Sequence, residues 1–437
     1  MVKSRHNEGS GGLLTRGWYK ILQYYIVPPL FIVLFTVAVQ WLAILGDSIC
    51  PFDQQQCSKL LGDSFSWTVV GAYITWVIVW LNVPSKQFVG PESPEGEKPV
   101  YQDNGFLFFT ATMIAFFTVR WFRPSLSHEL VLKNPENLAT LSLLALLLCV
   151  WLALKAKLKG KMTNYPLIYN FYRGSELHPK VMGCDAKQFA VSRVGMMVWQ
   201  LLILTAFLES NFNMADTATF LMQTIYIAKF FWWESGYFTT LDVTYDRAGY
   251  YLCWGGMVWI PALFPLSQIH LIHNPSNISD TTAILITCIG LAATFLEYAV
   301  DHQKQVFVEW RNKFSTGKKE SPYLVWGSHV KYIKSTYIND QGKTVHSALL
   351  TSGYWGLARH FNYTCELLCA LLWCLPAFIS PHTRGVTSHL PMFYFYFILG
   401  LMAHRILRDE HKCKAKYGIF WDQYCALVPY RFIPYIF

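Results

Sequence analysis

The chain has 437 residues, of which 53% are hydrophobic and only 14% are charged, and its mean hydropathy is +0.26. Soluble domains carry about 25% charged residues, so this composition excludes a protein whose whole surface faces water. The net charge is +9, but the basic residues flank apolar segments, so the charge does not indicate a nucleic-acid-binding protein.

Apolar runs of about twenty residues recur along the chain, which is the length needed to cross the hydrocarbon core of a bilayer. Backbone polar groups must be satisfied internally in lipid, so these runs are predicted to be helices. The sequence therefore predicts an all-α, polytopic membrane protein with about ten transmembrane helices. The predicted spans cover residues 21–46, 65–84, 105–122, 136–154, 195–212, 213–233, 249–272, 281–301, 352–380 and 388–405.

Three regions are predicted from this pattern. Residues 1–20 form a polar tail that we expect to be disordered, residues 21–233 an N-terminal transmembrane bundle, and residues 234–437 the C-terminal transmembrane helices. In the loop after the first span, Cys50 and Cys57 either close a small disulfide ring or remain free thiols, depending on the membrane.

Basic residues set the expected orientation. With ten crossings, most Lys- and Arg-rich segments fall on the side of the N-terminus, which the positive-inside rule makes cytoplasmic. Arg120, Arg123 and Lys133 fall on the opposite side and weaken this pattern. Both termini are thus expected to be cytoplasmic, in the endoplasmic reticulum membrane of a eukaryote or the inner membrane of a bacterium.

The C-terminal third carries polar residues beside apolar runs, where a bilayer retains ionisable groups mainly for function. After the last span, spacings of three and four residues place Arg405, Arg408 and Lys412 on one helical face, as a phosphate-binding surface requires. Asp409 can orient an arginine or accept from a ribose hydroxyl. We therefore expect a cytosol-facing pocket for a charged cofactor here. The alternative is a basic juxtamembrane helix held to anionic lipids.

An earlier run of the same third mixes aromatic and polar residues. Arg359 and His360 lie in a stretch compatible with a helix, with Trp355 one turn before them and Tyr363 about one turn after them. Lipid binding alone does not explain these aromatics, which can stack on a nucleotide base. This run is therefore expected to belong to the same pocket.

A second constellation is the segment from Phe230 to Trp259, which carries Glu234, Asp242 and Asp246 among glycines and aromatics. Its composition predicts a broken helix or a loop folded into the protein. A buried acid kept neutral by desolvation can donate a proton to an apolar substrate. The alternative, an ordinary cytoplasmic loop with solvated charges, stays open at this point.

Several long motifs resemble one known family in order and sequence. They are GSELHP (residues 174–179), FFWWESGY with LDVTYDRAGYYLCWG, HQK (residues 302–304), SGYWGLARHFNY, HRILRDEHKCKAKYG and VPYRFIPYIF. On these motifs the chain resembles the membrane sterol reductases. The segment from Gly90 to Gly105 favours, within that family, the reductases of 7-dehydrocholesterol over the 14-reductases.

The resemblance implies NADPH as the cofactor, bound among the C-terminal helices. The residues that it places at the cofactor are Lys304, Leu350, Trp355, Asn362, Tyr363, Asp409, Cys413, Lys416, Tyr417 and Tyr424. The pattern of charges adds Arg359, His360, Arg405 and Arg408. One departure concerns the phosphates, because the family usually has an arginine where this chain has Val308, and Arg311 is the candidate substitute.

The resemblance also implies the reaction, which is reduction of the 7,8 double bond of 7-dehydrocholesterol or a similar 5,7-diene sterol entering from the bilayer. Such a reduction needs a proton and a hydride on adjacent carbons. Glu234, Asp242 and Asp246 are the candidate proton donors, with the hydroxyls of Tyr245 and Tyr363 as alternatives. No metal-binding pattern is present in the sequence.

Other functions remain open on the same residues. A sterol 14-reductase differs only in the double bond that it reduces. Membrane methyltransferases that use S-adenosylmethionine resemble the C-terminal region, but they typically have proline after the Arg-His pair, where this chain has Phe361. A non-catalytic sterol-binding protein is the third possibility.

Overall fold

The structure is a computed structural model that describes residues 17–45, 60–93, 95–315, 323–338, 342, 344–379 and 386–436. The predicted tail lies outside the described residues up to residue 16, whereas residues 17–20 are helical and not disordered. Cys50 and Cys57 also lie outside the described residues.

Helices dominate the fold. The α-helices are α1 (Gly17–Ile21), α2 (Val27–Leu45), α3 (Ser64–Asn82), α4 (Gly105–Phe122), α5 (Leu126–Leu132), α6 (Asn134–Leu158), α7 (Leu167–Arg173), α8 (Met197–Leu208), α9 (Met214–Trp232), α10 (Glu234–Tyr237), α11 (Leu241–Tyr245), α12 (Ile260–Leu263), α13 (Leu266–His273), α14 (Asp280–Ser315), α15 (Tyr354–Leu357), α16 (Phe361–Phe378), α17 (Phe393–Tyr417) and α18 (Ile419–Leu427). Three π-helical segments cover Leu22–Ile26, Gln188–Met196 and Tyr250–Trp259, and a 3-10 helix covers Val386–Met392.

Short antiparallel hairpins supplement the helices. They pair β1 (Gln87–Val89) with β2 (Val100–Gln102), β3 (Lys180–Val181) with β4 (Cys184–Asp185), β5 (Leu324–Val325) with β6 (Ser328–His329), and β7 (Tyr332–Ile338) with β8 (Thr344–Leu350). The sequence did not predict these hairpins, because its apolar runs dominate the pattern and loops of a few residues leave little periodicity.

Within the described ranges, nine helices are long and apolar enough to cross a bilayer. The predicted polytopic, helical fold is confirmed, and nine of the predicted spans coincide with these helices. The remaining one, residues 213–233, forms α9, which has the length of a span but buries Asp216 and Gln223 and carries Lys229. These polar side chains lower its hydropathy below that of the other nine.

The chain divides into two compact units that are interleaved in sequence. Unit 1 comprises Met1–Leu201 and Phe238–Ala262, and unit 2 comprises Leu202–Tyr237 and Leu263–Phe437. The sequence predicts instead a single boundary between residues 233 and 234. The difference concerns residues 202–233, which belong to unit 2, and residues 238–262, which belong to unit 1. No change in composition marks the ends of these two segments, so a sequence pattern does not show them.

Two π-helical segments pack closely in unit 1, where every residue of Gln188–Met196 is buried. A methyl group built on Gly195 would overlap the carbonyl oxygen of Gly256, and one on Gly256 would meet Val191 Cγ2 at 2.7 Å. Gly255, its neighbour, has no atom within 4 Å of such a methyl group. Glycine is therefore required at the contact itself and not throughout the segment.

Helix α14 organises unit 2. Its 36 residues extend over about 54 Å at 1.5 Å per residue, well beyond the roughly 30 Å of a hydrocarbon core. The C-terminal part of α14 therefore projects beyond the apolar layer, where it packs against strand β8 and the loop after it. The buried cluster there consists of Val300, Phe307, Ala348, Leu350, Trp355 and Cys365.

The predicted span at residues 352–380 is wrong in its first third. Strand β8 ends at Leu350, α15 forms a single turn, and the backbone of Ala358 is extended (φ −153°, ψ 153°) before α16 begins at Phe361. The backbone N–H groups of Arg359 and His360 donate to the carbonyls of Tyr430 and Arg431, both at 2.9 Å. Arg359 and His360 thus form a non-helical connection, because their hydrogen bonds go to the C-terminal tail.

Candidate functional site

Trp355 and Lys304 form the centre of the candidate site in unit 2. The Nζ atom of Lys304 lies 3.9 Å from the centroid of the Trp355 ring, within the range of a cation–π contact. The indole Nε1–H donates to the carbonyl of Val300 at 3.0 Å, and the hydroxyl of Tyr424 donates to the carbonyl of Trp355 at 3.1 Å. Helix α14 therefore fixes the indole ring of Trp355, and α18 fixes its backbone.

His360 lies next to this pair and is buried, with Nδ1 3.7 Å from Oδ2 of Asp409 and its ring stacked on Tyr363 at 5.4 Å. Burial, together with the charges of Lys304, Arg359 and Arg431, lowers the pKa of His360 to about 3. The imidazole is therefore neutral at pH 7, and its approach to Asp409 is not a salt bridge. A neutral ring offers one nitrogen as donor and one as acceptor.

Two buried polar atoms at this position have no hydrogen-bond partner among the residues that the structure describes. They are Nε2 of His360 and Oδ1 of Asn362. An unsatisfied buried polar group costs about 1–3 kcal/mol, so native structures rarely retain one without a reason. The amide of Asn362 also bonds to Asp301 on α14, which fixes the side chain in place. Both atoms are consistent with polar contacts to a bound cofactor.

Helix α17 supplies the cationic side of the site. The predicted helix over Arg405, Arg408 and Lys412 is confirmed, so these residues do share a face. One turn further, Lys416 lies over the ring of Tyr337 on β7 at 4.2 Å, and Tyr337 packs against Tyr417 at 5.6 Å. Two further predicted residues, Cys413 and Tyr417, pack against a cluster of Trp421, Tyr424 and Val428.

Two arginines bond to protein groups instead of facing outward. The Arg359 guanidinium donates to Glu410 Oε1 from Nε at 3.1 Å and Nη2 at 2.8 Å, and to the carbonyls of Val428 and Pro429 from Nη1. Arg311 Nη1 donates to Ser347 Oγ at 3.1 Å and to the carbonyl of Ala348 at 3.3 Å. Their hydrogen bonds hold chain segments together, a function that the sequence did not predict for them.

The candidate proton donors fall in both units. Glu234 begins α10 in unit 2 and is 2% exposed, while Asp242 (8% exposed) and Asp246 (1% exposed) lie in unit 1. The segment is thus a broken helix with buried acids, and not a loop with solvated charges. Tyr245 is 41% exposed, unlike the acids that flank it.

Asp246 is held as an ion pair. Its Oδ1 accepts from Nη2 of Arg173 at 2.7 Å. The buried ammonium of Lys187 lies within electrostatic range and donates to the carbonyl of Val243 at 2.6 Å, and burial lowers the pKa of Lys187 to about 8. The contact with Arg173 thus holds the Asp246 carboxylate in place within unit 1.

Sequence reasoning missed a polar network between the long helices of unit 2. Lys229 on α9 pairs with Glu297 on α14, and the hydroxyls of Tyr226 and Tyr394 donate to Glu366 on α16 at 2.9 and 3.3 Å. Acids that interrupt apolar runs are costly in lipid and were visible in the sequence as Glu297 and Glu366. In the described part of the chain, no group of three His, Cys, Asp or Glu side chains could hold a metal ion.

Comparisons with known proteins give the family. Residues 21–437 match the profile of the ergosterol biosynthesis ERG4/ERG24 family. A 7-dehydrocholesterol reductase of Arabidopsis thaliana is 34% identical over 85% of this chain and 85% of its own length. One from Xenopus laevis is 31% identical over 86% and 81%. A Delta(14)-sterol reductase of Methylotuvimicrobium alcaliphilum is 32% identical over 85% and 84%.

The predicted resemblance is therefore confirmed. Sterol reductases are oxidoreductases that typically use a nicotinamide cofactor, and the buried polar atoms, the fixed indole and the cationic helix face fit such a molecule. The apolar helices fit a multi-pass membrane protein. The match over nearly the whole chain, together with identities above 30% to named relatives, shows that this protein belongs to the ERG4/ERG24 family of sterol reductases.

Proposed function

We propose that this protein reduces the 7,8 double bond of a 5,7-diene sterol such as 7-dehydrocholesterol, with NADPH as the reductant. The observation that carries the cofactor assignment is the pair of buried, unpartnered atoms, His360 Nε2 and Asn362 Oδ1, beside the Lys304–Trp355 contact. The choice of double bond is supported by relatives named as 7-dehydrocholesterol reductases at 31% and 34% identity.

The residues of unit 2 would bind and orient the cofactor. Trp355 offers a rigid aromatic edge, because hydrogen bonds to its indole and to its carbonyl leave it little freedom. The neutral His360 and the amide of Asn362 provide one donor or acceptor each, and the face of α17 that carries Arg408 provides positive charge for phosphates. When bound, NADPH would supply the hydride, which no side chain can provide.

Arg311 and Val308 bear on the choice between NADPH and NADH. Arg311 on α14 already bonds to Ser347 and Ala348, so its charge is held close to β8. Val308 contributes no charge at all. We propose that the 2′-phosphate is recognised chiefly by the cations of α17, and that the preference for NADPH is correspondingly moderate.

The proton would come from a buried acid. Asp246 is held in an ion pair with Arg173, so we take the other two buried acids, Asp242 and Glu234, as the candidates. In this proposal the acid delivers its proton to an alkene carbon as the hydride arrives at the next one. The sum is addition of one proton and one hydride across the double bond, so charge and atoms balance.

Sterol 14-reduction is the second candidate function. It is favoured by the bacterial Delta(14)-sterol reductase, which is 32% identical to this chain over 85% of its length. This identity is close to the 34% of the Arabidopsis thaliana 7-dehydrocholesterol reductase. The two reactions share the cofactor and differ in where the double bond lies. If α9, with its 19 residues, is counted as a tenth crossing, both termini lie on the same side of the membrane. We place them and the cofactor site on the cytoplasmic side, as the positive-inside rule indicates.

The test is a substrate and cofactor matrix. Membranes from cells that express the chain would be incubated with 7-dehydrocholesterol or an 8,14-diene sterol, each with NADPH, NADH or neither, and products measured by mass spectrometry. We expect loss of the 7,8 double bond with NADPH, faster than with NADH. Turnover of the 8,14-diene alone would replace the proposal by 14-reduction, and no reduction of either sterol would reject it.

A further inference from the structure

The C-terminal tail is bonded directly to the connection that carries His360. The backbone N–H groups of Arg359 and His360 donate to the carbonyls of Tyr430 and Arg431, and Thr364 Oγ1 donates to the carbonyl of Phe432 at 2.6 Å. Three tail carbonyls in a row are thus held by one short segment, which leaves the backbone of Arg359 and His360 no freedom to become helical.

Glu410 joins the same two segments through its side chain. Its Oε1 accepts from Nε and Nη2 of Arg359, and its Oε2 lies 3.1 Å from Nε of Arg431 in the tail. The carboxylate is 15% exposed and the Arg359 side chain 5% exposed, so the pair is largely desolvated. Removing one partner of such a pair leaves the other charge buried, which costs far more than the loss of a surface ion pair.

We call this cluster of contacts the tail clamp. It consists of Arg359, Glu410, Arg431 and the carbonyls of residues 428–432. The clamp touches none of the atoms proposed to contact the cofactor. It does hold the segment between Trp355 and Asn362, on which three of the proposed cofactor residues lie. Tyr424, just before the tail, adds a hydrogen bond to the carbonyl of Trp355.

We propose that Glu410 and Arg431 are positioning residues that set the affinity for the cofactor by fixing the Trp355–Asn362 segment with the C-terminal tail. This inference rests on the proposed function, since it concerns the same cofactor site. Glu410 acts through Arg359, whose backbone precedes His360 directly. The clamp makes no contact with the cofactor itself. It preorganises the site, because it restricts the residues that are proposed to contact the cofactor.

The experiment compares Glu410→Gln and Arg431→Met with the wild-type protein and with Asp422→Asn. Asp422 pairs with Lys414 in an exposed bridge between α17 and α18, so its variant removes an ion pair of the same region outside the clamp. Kinetics would be measured at varied NADPH and at varied sterol. Hydrogen exchange of the peptide that contains Arg359 and His360 would report on the clamp itself.

We expect Glu410→Gln to raise the KM for NADPH about tenfold and Arg431→Met about threefold, with kcat and the KM for sterol within about twofold. Exchange at Arg359 and His360 should quicken in both variants, Arg431→Lys should restore the KM, and Asp422→Asn should change neither readout. Because Arg431 is the more exposed partner (45%), its variant remains informative if Glu410→Gln folds poorly.

The two proposals fail in distinguishable ways. Normal NADPH-dependent turnover in the wild type with an unchanged KM in both clamp variants would overturn the clamp and leave the proposed function standing. A loss of kcat without a change in the KM for NADPH or for sterol would also overturn the clamp, since it indicates lost protein and not lost positioning. Absence of NADPH-dependent turnover in the wild type would overturn the proposed function and the clamp's role with it.

Discussion

The ammonium of Lys304 lies 3.9 Å above the indole of Trp355, and the two residues, on α14 and α15, are 51 positions apart in the chain. The contact places a positive charge and a flat aromatic surface at one point, which is the combination that a nicotinamide dinucleotide requires. Because Lys304 is exposed and Trp355 is buried, the lysine is the member of the pair that a phosphate can reach.

Replacing Lys304 by Met tests this contact. We expect the KM for NADPH to rise about tenfold, the loss typical of one charge-assisted contact, while Lys304→Arg stays within about threefold. Lys98→Met, at an exposed lysine of unit 1, is the matched control. Steady-state kinetics at saturating sterol would measure the effect, and a Lys304→Met enzyme with unchanged NADPH kinetics would place the cofactor elsewhere.

The buried His360 predicts a dependence of stability on pH. Its pKa of about 3 in the folded protein lies below the usual 6.5, so the unfolded chain binds more protons between these values. Stability therefore falls as the pH falls below 6.5, by about 2 kcal/mol at pH 5 from this one group. Melting temperatures in detergent at pH 5 and 7 would measure it.

The matched comparison for this prediction is His360→Asn against His389→Asn, since His389 is exposed. The first substitution should flatten the decline of melting temperature between pH 7 and 5, and the second should leave it as in the wild type. Parallel declines in all three proteins would show that protonation of His360 does not limit stability.

Amide variants of the three buried acids are predicted to differ in whether they lower the stability of the protein or its activity. Asp246→Asn removes the partner of Arg173, which is 26% exposed, and should lower the free energy of unfolding by about 1–3 kcal/mol with kcat within about threefold. Either Asp242→Asn or Glu234→Gln should lower kcat by about 100-fold or more, as loss of a general acid does. Turnover per folded molecule and melting temperature would be recorded for each variant. A 100-fold loss confined to Asp246→Asn, at unchanged stability, would reverse the assignment.

The close contact of the two π-helical segments gives a prediction on adjacent glycines. Gly256→Ala meets Val191 at 2.7 Å and should destabilise unit 1 by about 1–3 kcal/mol, the usual cost of overpacking. Gly255→Ala has open space around its methyl group and should be neutral or stabilising by up to about 1 kcal/mol. Thermal unfolding in detergent would measure both. Equal melting temperatures for the two variants would mean that the segments are not packed as described.

The sequence predicted the helical, polytopic fold because hydrocarbon thickness and backbone hydrogen bonding leave few alternatives to apolar helices. It also predicted the shared face of Arg405, Arg408 and Lys412, which depends only on helical spacing. The sequence did not predict the contacts between residues that are far apart in the chain. The non-helical backbone at Arg359 and His360 depends on carbonyls about seventy residues later, and the partner of Arg359 is Glu410. No local pattern distinguishes an arginine that binds phosphate from one that anchors a tail.

The most direct test of the central claim follows the hydride itself. The purified protein would be incubated with 7-dehydrocholesterol and NADPH that carries deuterium in place of both hydrogens at the nicotinamide C4, and the sterol product analysed by mass spectrometry. We predict one deuterium per reduced sterol in the wild type, and a rate that falls when Trp355 is replaced by Ala. A reduced product that carries no deuterium from the cofactor, or the absence of any reduced product, would contradict the account.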